Sequence, residues 1–457
     1  MVTCEFQAVV MAGGKGSRMT EITAGRPKCL LPIGNQPMVW YPLRMLEQAG
    51  FQDVILIVLE TVRSDVQLTL DRCGLKIRLD IVGIPAGEDW GTADSLRFLG
   101  ERIKSDVLVV SCDLVTDVNL HEVLNMFRKH HASITALFFQ NSSESSGVTP
   151  GPKTKYKPER DLVGLDACTS RLVFLASASD FEETLSLPRA LIKKHQHILM
   201  HSRLSDAHLY VLRQWVCQYL AQEKSFSTLK GELLPYIVKK QLLKPIKLHE
   251  SDPNASITGV EVKKDILHCA GGEKLENEIQ QMSTYNDHRN DMHPAYHGDS
   301  IRCFGYVAPA DKFGMRANTL PVYCHLNRKI TELWPLVTGN RELIAINPTS
   351  EIKSTQVDGD CMVGEQSFLS EKTSFKASSI GAHCTVESKV RVSGCIIMNG
   401  VKIREGCVLS NCVVCDEAEI GSGAELKDCL VGSNHCVPAG EKRSSEVLTD
   451  MDRLMEI

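Results

Sequence analysis

The sequence predicts an α/β domain with a mixed, mostly parallel sheet over residues 1–330, followed by a left-handed parallel β-helix over 358–440. Three observations carry that expectation. An apolar run of strand length, Ala8-Val9-Val10-Met11-Ala12, feeds directly into a glycine cluster, Gly13-Gly14-Lys15-Gly16. Helix and strand signals then alternate, which is the order of a parallel sheet covered on both faces. Near the carboxyl end, apolar residues recur in steps of six, six and five.

Size and composition agree with a folded chain of more than one domain. There are 457 residues, 43% of them hydrophobic and 23% charged, ordinary values for a globular protein. The net charge of −5 gives no broad electrostatic attraction to nucleic acid or to an anionic membrane. No apolar run approaches the roughly 20 residues that span a bilayer. Residues Met1 to Met11 carry neither the basic start nor the long apolar core of a secretory signal. The 17 cysteines, odd in number and scattered, therefore read as reduced thiols of a cytosolic protein used as small apolar residues. Cys412 and Cys415 have CxxC spacing, but a zinc site needs a second such pair, which the sequence lacks.

Taken in order, the glycine cluster comes first. Glycines let backbone N–H groups curl around an anion, although a tight turn without a ligand uses the same residues. Arg18 can grip phosphate oxygens in a bidentate manner, and Lys28, stiffened by Pro27, brings a second positive charge. The spacing is neither that of a P-loop nor that of a dinucleotide fingerprint. Pro37 to Gly50 reads as a helix, with proline near its start and glycine at its stop, and Val54 to Leu59 as a buried strand. Gly91-Thr92-Ala93 reads as a helix cap. Val107 to Val110 is another buried strand, and Asp113 follows its carboxyl end, where open α/β sheets place ligand crevices. An aspartate there either holds magnesium against phosphate oxygens or caps a loop.

Ser133 to Phe139 has the pattern of a strand, and the polar stretch Asn141 to Lys157 that of an exposed loop. Strand patterns return at Leu162–Leu165, Arg171–Leu175 and Asp206–Val211, and Ser227 is placed to cap a helix running to Lys240. About 242–300 is polar and lacks a sustained period, as a flexible insertion would. Cys303 to Asn327 can close the domain, and 331–357 reads as a linker. The solenoid follows from arithmetic. Val363, Ile380, Ile397, Val414 and Val431 are 17 residues apart, with two further apolar positions between each pair. A near-six step fits a three-sided coil with one inward residue per side and matches no helix. Cys395, Cys407, Cys412 and Cys429 fill its corners and core gaps, and 441–457 reads as a tail.

With Arg26-Pro27-Lys28-Cys29-Leu30-Leu31-Pro32 included, the glycine loop resembles the signature of nucleotidyltransferases that join a nucleoside triphosphate to a sugar phosphate. A Rossmann-like nucleotidyltransferase-like domain followed by a left-handed β-helix of hexapeptide-type repeats is the arrangement of sugar-nucleotide pyrophosphorylases. It is also that of the gamma and epsilon subunits of translation initiation factor 2B. Val39-Trp40-Tyr41-Pro42-Leu43, Gly91-Thr92-Ala93-Asp94-Ser95-Leu96-Arg97, Ser111 to Val118, Asp206-Ala207-His208-Leu209-Tyr210 and Leu454-Met455-Glu456-Ile457 resemble the gamma-subunit family.

The resemblance implies a vestigial nucleotide or phosphate site at Gly13, Gly14, Gly16, Arg18, Lys28, Gly91, Thr92 and Ala93, and a vestigial metal aspartate at Asp113. The second metal aspartate of the family, in a Trp-x-Asp-x-Gly context, has no match, and Asp206 and His208 stand where the family has asparagine and glycine. No catalytic residue, resident metal or cofactor is therefore expected, while residual binding of a nucleotide or of magnesium stays open. The implied role is that of a non-catalytic subunit of the guanine-nucleotide exchange factor for initiation factor 2. The implied partners are the epsilon subunit foremost, the alpha, beta and delta subunits in a decamer, and initiation factor 2 itself, under stress control in the cytosol. The alternative is an active mannose-1-phosphate guanylyltransferase type of enzyme.

Overall fold

The computed structural model describes residues 5–87, 89–140, 149–152, 160–177, 180, 184–243, 266–270, 299–339 and 341–449. A seven-stranded sheet organises the first domain, in the order Cys303–Val307, Ile134–Gln140, Leu204–Leu212, Asp106–Ser111, Phe6–Met11, Asp53–Leu59 and Arg78–Ile84. All neighbours run parallel except Leu204–Leu212, which is antiparallel to both strands beside it. Strand side chains alternate between faces, so both faces of this sheet are apolar. Ala8, Val10, Leu56 and Leu108 join the core under the helices Trp40–Gln48 and Leu120–Lys129. Val9, Ile57, Val107 and Val109 join the opposite core, under Thr92–Leu99 and Gln214–Gln222.

The expected helix caps are redistributed. Ser227 does not cap the segment that follows it, a π-helical turn at Leu229–Leu233 leading into Leu234–Lys240, because Thr228 occupies the cap position. Its carbonyl instead accepts from the amides of Ala93 (2.8 Å) and Asp94 (3.4 Å), and its hydroxyl donates to Asp94 Oδ2 at 2.7 Å. Ser227 thus satisfies the amino end of Thr92–Leu99, a helix whose Asp94 lies 133 residues earlier and whose own cap, Gly91, has no side chain to do so. The bulk of the expected insertion lies outside the described residues. The flanks of that stretch are tied together by buried Arg171, which donates to Gln241 Oε1 (3.1 Å) and to Asp299 Oδ2 (2.6 Å).

The second domain is a left-handed coil of three six-stranded parallel sheets. Pairing runs Val363↔Ile380↔Ile397↔Val414↔Val431↔Leu448, with the 17-residue offset read from the sequence. Leu369, Phe375, Val386, Ile403, Leu409 and Ile420 fill its interior. The coil is longer than expected at both ends. Strands Glu351–Ile352 and Gln356–Val357 belong to its first turn, and Lys442–Ser444 and Val447–Leu448 continue its last. The stretch read as a linker is therefore mostly structured, since the helix Leu320–Thr338 also runs into it before stopping at Gly339 in the left-handed region. The sequence signal faded there because the inward apolar residues of these edge strands, Ile352, Val357 and Leu448, are only half-buried, and Lys442–Ser444 has none.

One apolar seam joins the two domains. Met362, Ile396, Met398, Val413, Cys415 and Leu430 point outward from one side of the coil and pack with Met19, Ile22, Trp40, Tyr323, Ile330 and Trp334. Trp40 and Trp334 stack with ring centres 5.6 Å apart. Arg26 pairs with Asp416 at 3.0 Å. The expected exposed loop after Ser133–Phe139 also takes part in its described portion: Pro150 and Gly151 are buried, and the Gly151 amide donates to the Asp428 carbonyl at 2.7 Å. Cys412 lies inside the coil and Cys415 in the seam, so the two thiols of the CxxC spacing belong to different cores.

Candidate functional site

A cavity of about 560 Å³ opens at the carboxyl ends of the strands Phe6–Met11 and Asp106–Ser111. Gly13, Gly14, Gly16, Arg18, Lys28, Gly91, Thr92 and Asp113 all line it. Gly16 has φ +79°, and a Cβ there would sit 2.9 Å from Thr23, so the loop requires glycine at this point. Gly14 faces open space, where a side chain would fill the cavity rather than clash. Ala93 is the exception among the expected residues. It is fully buried in the core below the cavity and its amide is committed to Ser227. It shares the buried face of the helix with Leu96 and Leu99, so it contributes packing and no direct contact.

Asp113 is completely buried and surrounded by donors. Its Oδ2 receives Lys28 Nζ at 2.5 Å and Arg316 Nη2 at 3.1 Å, and its Oδ1 receives Arg316 Nε at 3.0 Å and Ser111 Oγ at 2.7 Å. Burial alone would raise the carboxyl, but the Arg316 and Lys28 charges outweigh it and hold the group well below the usual carboxylate range. A carboxylate offers about four acceptor positions. Here four donors fill them, which is a poor fit to a magnesium ion that demands free carboxylate oxygens in octahedral geometry.

Sequence reasoning missed Arg316, and nothing in the chain near it signals a role. It lies 203 residues from Asp113 and arrives through the short strand Gly314–Arg316, which pairs antiparallel with Leu114–Thr116 immediately after the aspartate. Lys230 was missed for the same reason. It lines the cavity and pairs with Asp161 at 2.9 Å. His208 reaches the cavity wall from a backbone with φ 49°, a conformation that favours glycine or asparagine. Burial, and then the Arg316 and Lys230 charges, push its imidazole well below the ordinary range, so the ring is neutral at pH 7. Asp206 beneath it accepts from Tyr210 Oη and from the His208 amide, each at 2.7 Å. Cys112 also lines the wall, but burial pushes its thiol up to about 12 and leaves it inert. Five cationic and three acidic side chains face the cavity, a formal balance of +2 in a chain of −5.

Fold and cavity together define a class, a nucleotidyltransferase domain that carries a left-handed β-helix. The Nucleotidyl transferase family matches residues 7–147, and the EIF2B subunit epsilon LbH domain family matches residues 347–442. The chain is 30% identical over 377 residues to translation initiation factor eIF2B subunit gamma of Schizosaccharomyces pombe, covering 81% of this chain and 74% of that one. It is 25% identical over 408 residues to the gamma subunit of Dictyostelium discoideum, covering 84% and 89%. The eIF2B subunit epsilon of Schizosaccharomyces pombe is 23% identical over 275 residues, covering 57% and 40%. The chain belongs to the eIF2B gamma-subunit family. Among the described residues, no helix is long and apolar enough to cross a membrane.

Proposed function

We propose that this chain is a non-catalytic subunit of the guanine-nucleotide exchange factor for translation initiation factor 2. In this reading it pairs with the epsilon subunit in the cytosol, within an assembly that also holds the alpha, beta and delta subunits, and supports GDP release without performing it. The observation that carries the reading is likeness to gamma subunits through both domains at 25–30% identity over more than four fifths of the chain. The nucleotidyltransferase cavity keeps its phosphate-binding residues and holds a nucleotide without turning it over. That second clause is supported by the glycine loop and by an Asp113 already committed to two cations.

Two measurements test this. The tagged chain, purified from cells, is expected to bring down the other factor subunits and to raise GDP release from initiation factor 2 when added to epsilon. The same protein, given GTP, mannose 1-phosphate and magnesium, is expected to release no pyrophosphate. A lone homo-oligomer with steady pyrophosphate release would return the assignment to an active guanylyltransferase, the reading that the match over residues 7–147 favours.

A further inference from the structure

The cavity has a glycine loop like that of a magnesium-dependent phosphoryl site, but the aspartate at the end of the strand Asp106–Ser111, where such a metal would be held, is already committed to cations. Asp113 stands where the metal would be anchored, yet both its oxygens are filled by Lys28, Arg316 and Ser111. Lys28 and Arg316 are themselves only 14% and 13% exposed, so the pairs are protected from water and from screening by salt. A divalent ion would have to displace two buried cations from their one carboxylate. It would then bring its two positive charges against theirs at short range, in a low-dielectric wall. Electrostatics oppose that exchange.

We propose that Arg316 has taken the place of the metal and that the cavity binds a polyphosphate anion, of the nucleoside di- or triphosphate class, without any divalent cation. The proposal rests on the nucleotide-holding reading of the cavity given above and specifies its chemistry. Lys28 and Arg316 carry two positive charges against one on Asp113, while Arg18 and Lys230, the latter paired with Asp161, line the same space. The one net positive charge of the Lys28–Arg316–Asp113 cluster is what phosphate oxygens would meet, and a guanidinium fork and an ammonium group neutralise them as an ion would. Neutral His208 adds no charge of its own but can donate or accept one hydrogen bond at the wall. Arg316 is therefore a binding residue whose partner is the ligand and whose resting counter-ion is Asp113.

The test is equilibrium dialysis of the purified full-length chain with radiolabelled GTP, in EDTA and in excess magnesium, with inorganic tripolyphosphate as competitor. Wild-type affinity is expected to be as high in EDTA as in magnesium, within about twofold, and tripolyphosphate is expected to displace the nucleotide. Arg316→Gln removes one charge-assisted bidentate contact and is expected to weaken binding in EDTA by roughly tenfold or more. Asp113→Asn, which destroys binding wherever the aspartate holds a metal, is here expected to strengthen it, because both cations are released to the ligand. Lys28→Gln repeats the Arg316 test if that variant fails to fold. As an independent readout, the wild-type chain is expected to leave the free manganese(II) resonance signal unchanged. Binding that magnesium supports and EDTA abolishes, or loss of binding in Asp113→Asn with the fold intact, overturns the inference and leaves the cavity reading standing. No GTP binding in either buffer overturns both.

Discussion

Replacing Gly25 by alanine loads the seam between the two domains at one defined point. A Cβ at Gly25 would lie 2.2 Å from Ser433 Oγ and 2.6 Å from Ser433 Cβ, well inside contact distance. The hydroxyl can rotate away, but the Cβ cannot, so either the loop or the coil has to move. Backbone strain plays no part, since Gly25 is not in the left-handed region. Overpacking of this kind costs about 1–3 kcal/mol. The clash is between two named residues, so Ser433→Gly is expected to return most of that loss, with a coupling of about 1 kcal/mol or more in the double-mutant cycle. Denaturant midpoints of the four proteins measure it. Gly25 is also three residues from Lys28 and next to Arg26, which grips Asp416 of the coil. Gly25→Ala is therefore expected to weaken GTP binding in the cavity, and the double variant to regain it. A neutral Gly25→Ala, or a destabilised one that Ser433→Gly fails to rescue, would refute the claim that the phosphate loop is braced by the solenoid.

Three other outcomes are expected. His208 is held neutral in the folded chain, so as pH falls below about 6.5 the unfolded state takes a proton that the folded state refuses, and stability declines by up to roughly 1.4 kcal/mol per pH unit. His208→Asn, which suits the φ of 49°, is expected to lessen the fall in denaturant midpoint between about pH 6 and 4 while leaving pH 8 little changed. Ile403→Ala empties a fully buried position in the coil and is expected to cost about 2–5 kcal/mol, with faster hydrogen exchange in the coils on either side rather than in the seven-stranded sheet. Maleimide labelling of the native chain, read by peptide mass spectrometry, is expected to modify exposed Cys168 and Cys436. It is expected to spare Cys395, Cys407, Cys412 and Cys429 until the coil is unfolded.

The parts of this molecule that were legible in the sequence are those encoded by local periodicity. A strand buried on both faces needs only a short apolar run, and a three-sided coil needs one inward residue per side. Val9, Val109, Ile380 and Ile403 announce their places without reference to anything distant. The glycine loop was legible because Gly16 answers to a backbone requirement. What stayed hidden depends on pairs far apart along the chain. Arg316 beside Asp113, the Ser227 carbonyl on the Ala93 amide, and Gly151 on Asp428 are made by topology, and no short window of sequence contains both members. The ends of the coil were misjudged for a related reason, since terminal turns such as Lys442–Ser444 expose all three residues and lose the apolar mark.

The outward row of Met398, Ile396, Val413 and Leu430 has a practical and a mechanical consequence. Severing the chain near residue 345 would leave each half with a bare greasy flank, so either piece made by itself should clump, and co-expression should cure it. In the intact molecule the same row acts as a weld. A protein that takes hold of the far turns of the coil is thereby kept at a fixed reach from the mouth of the phosphate pocket.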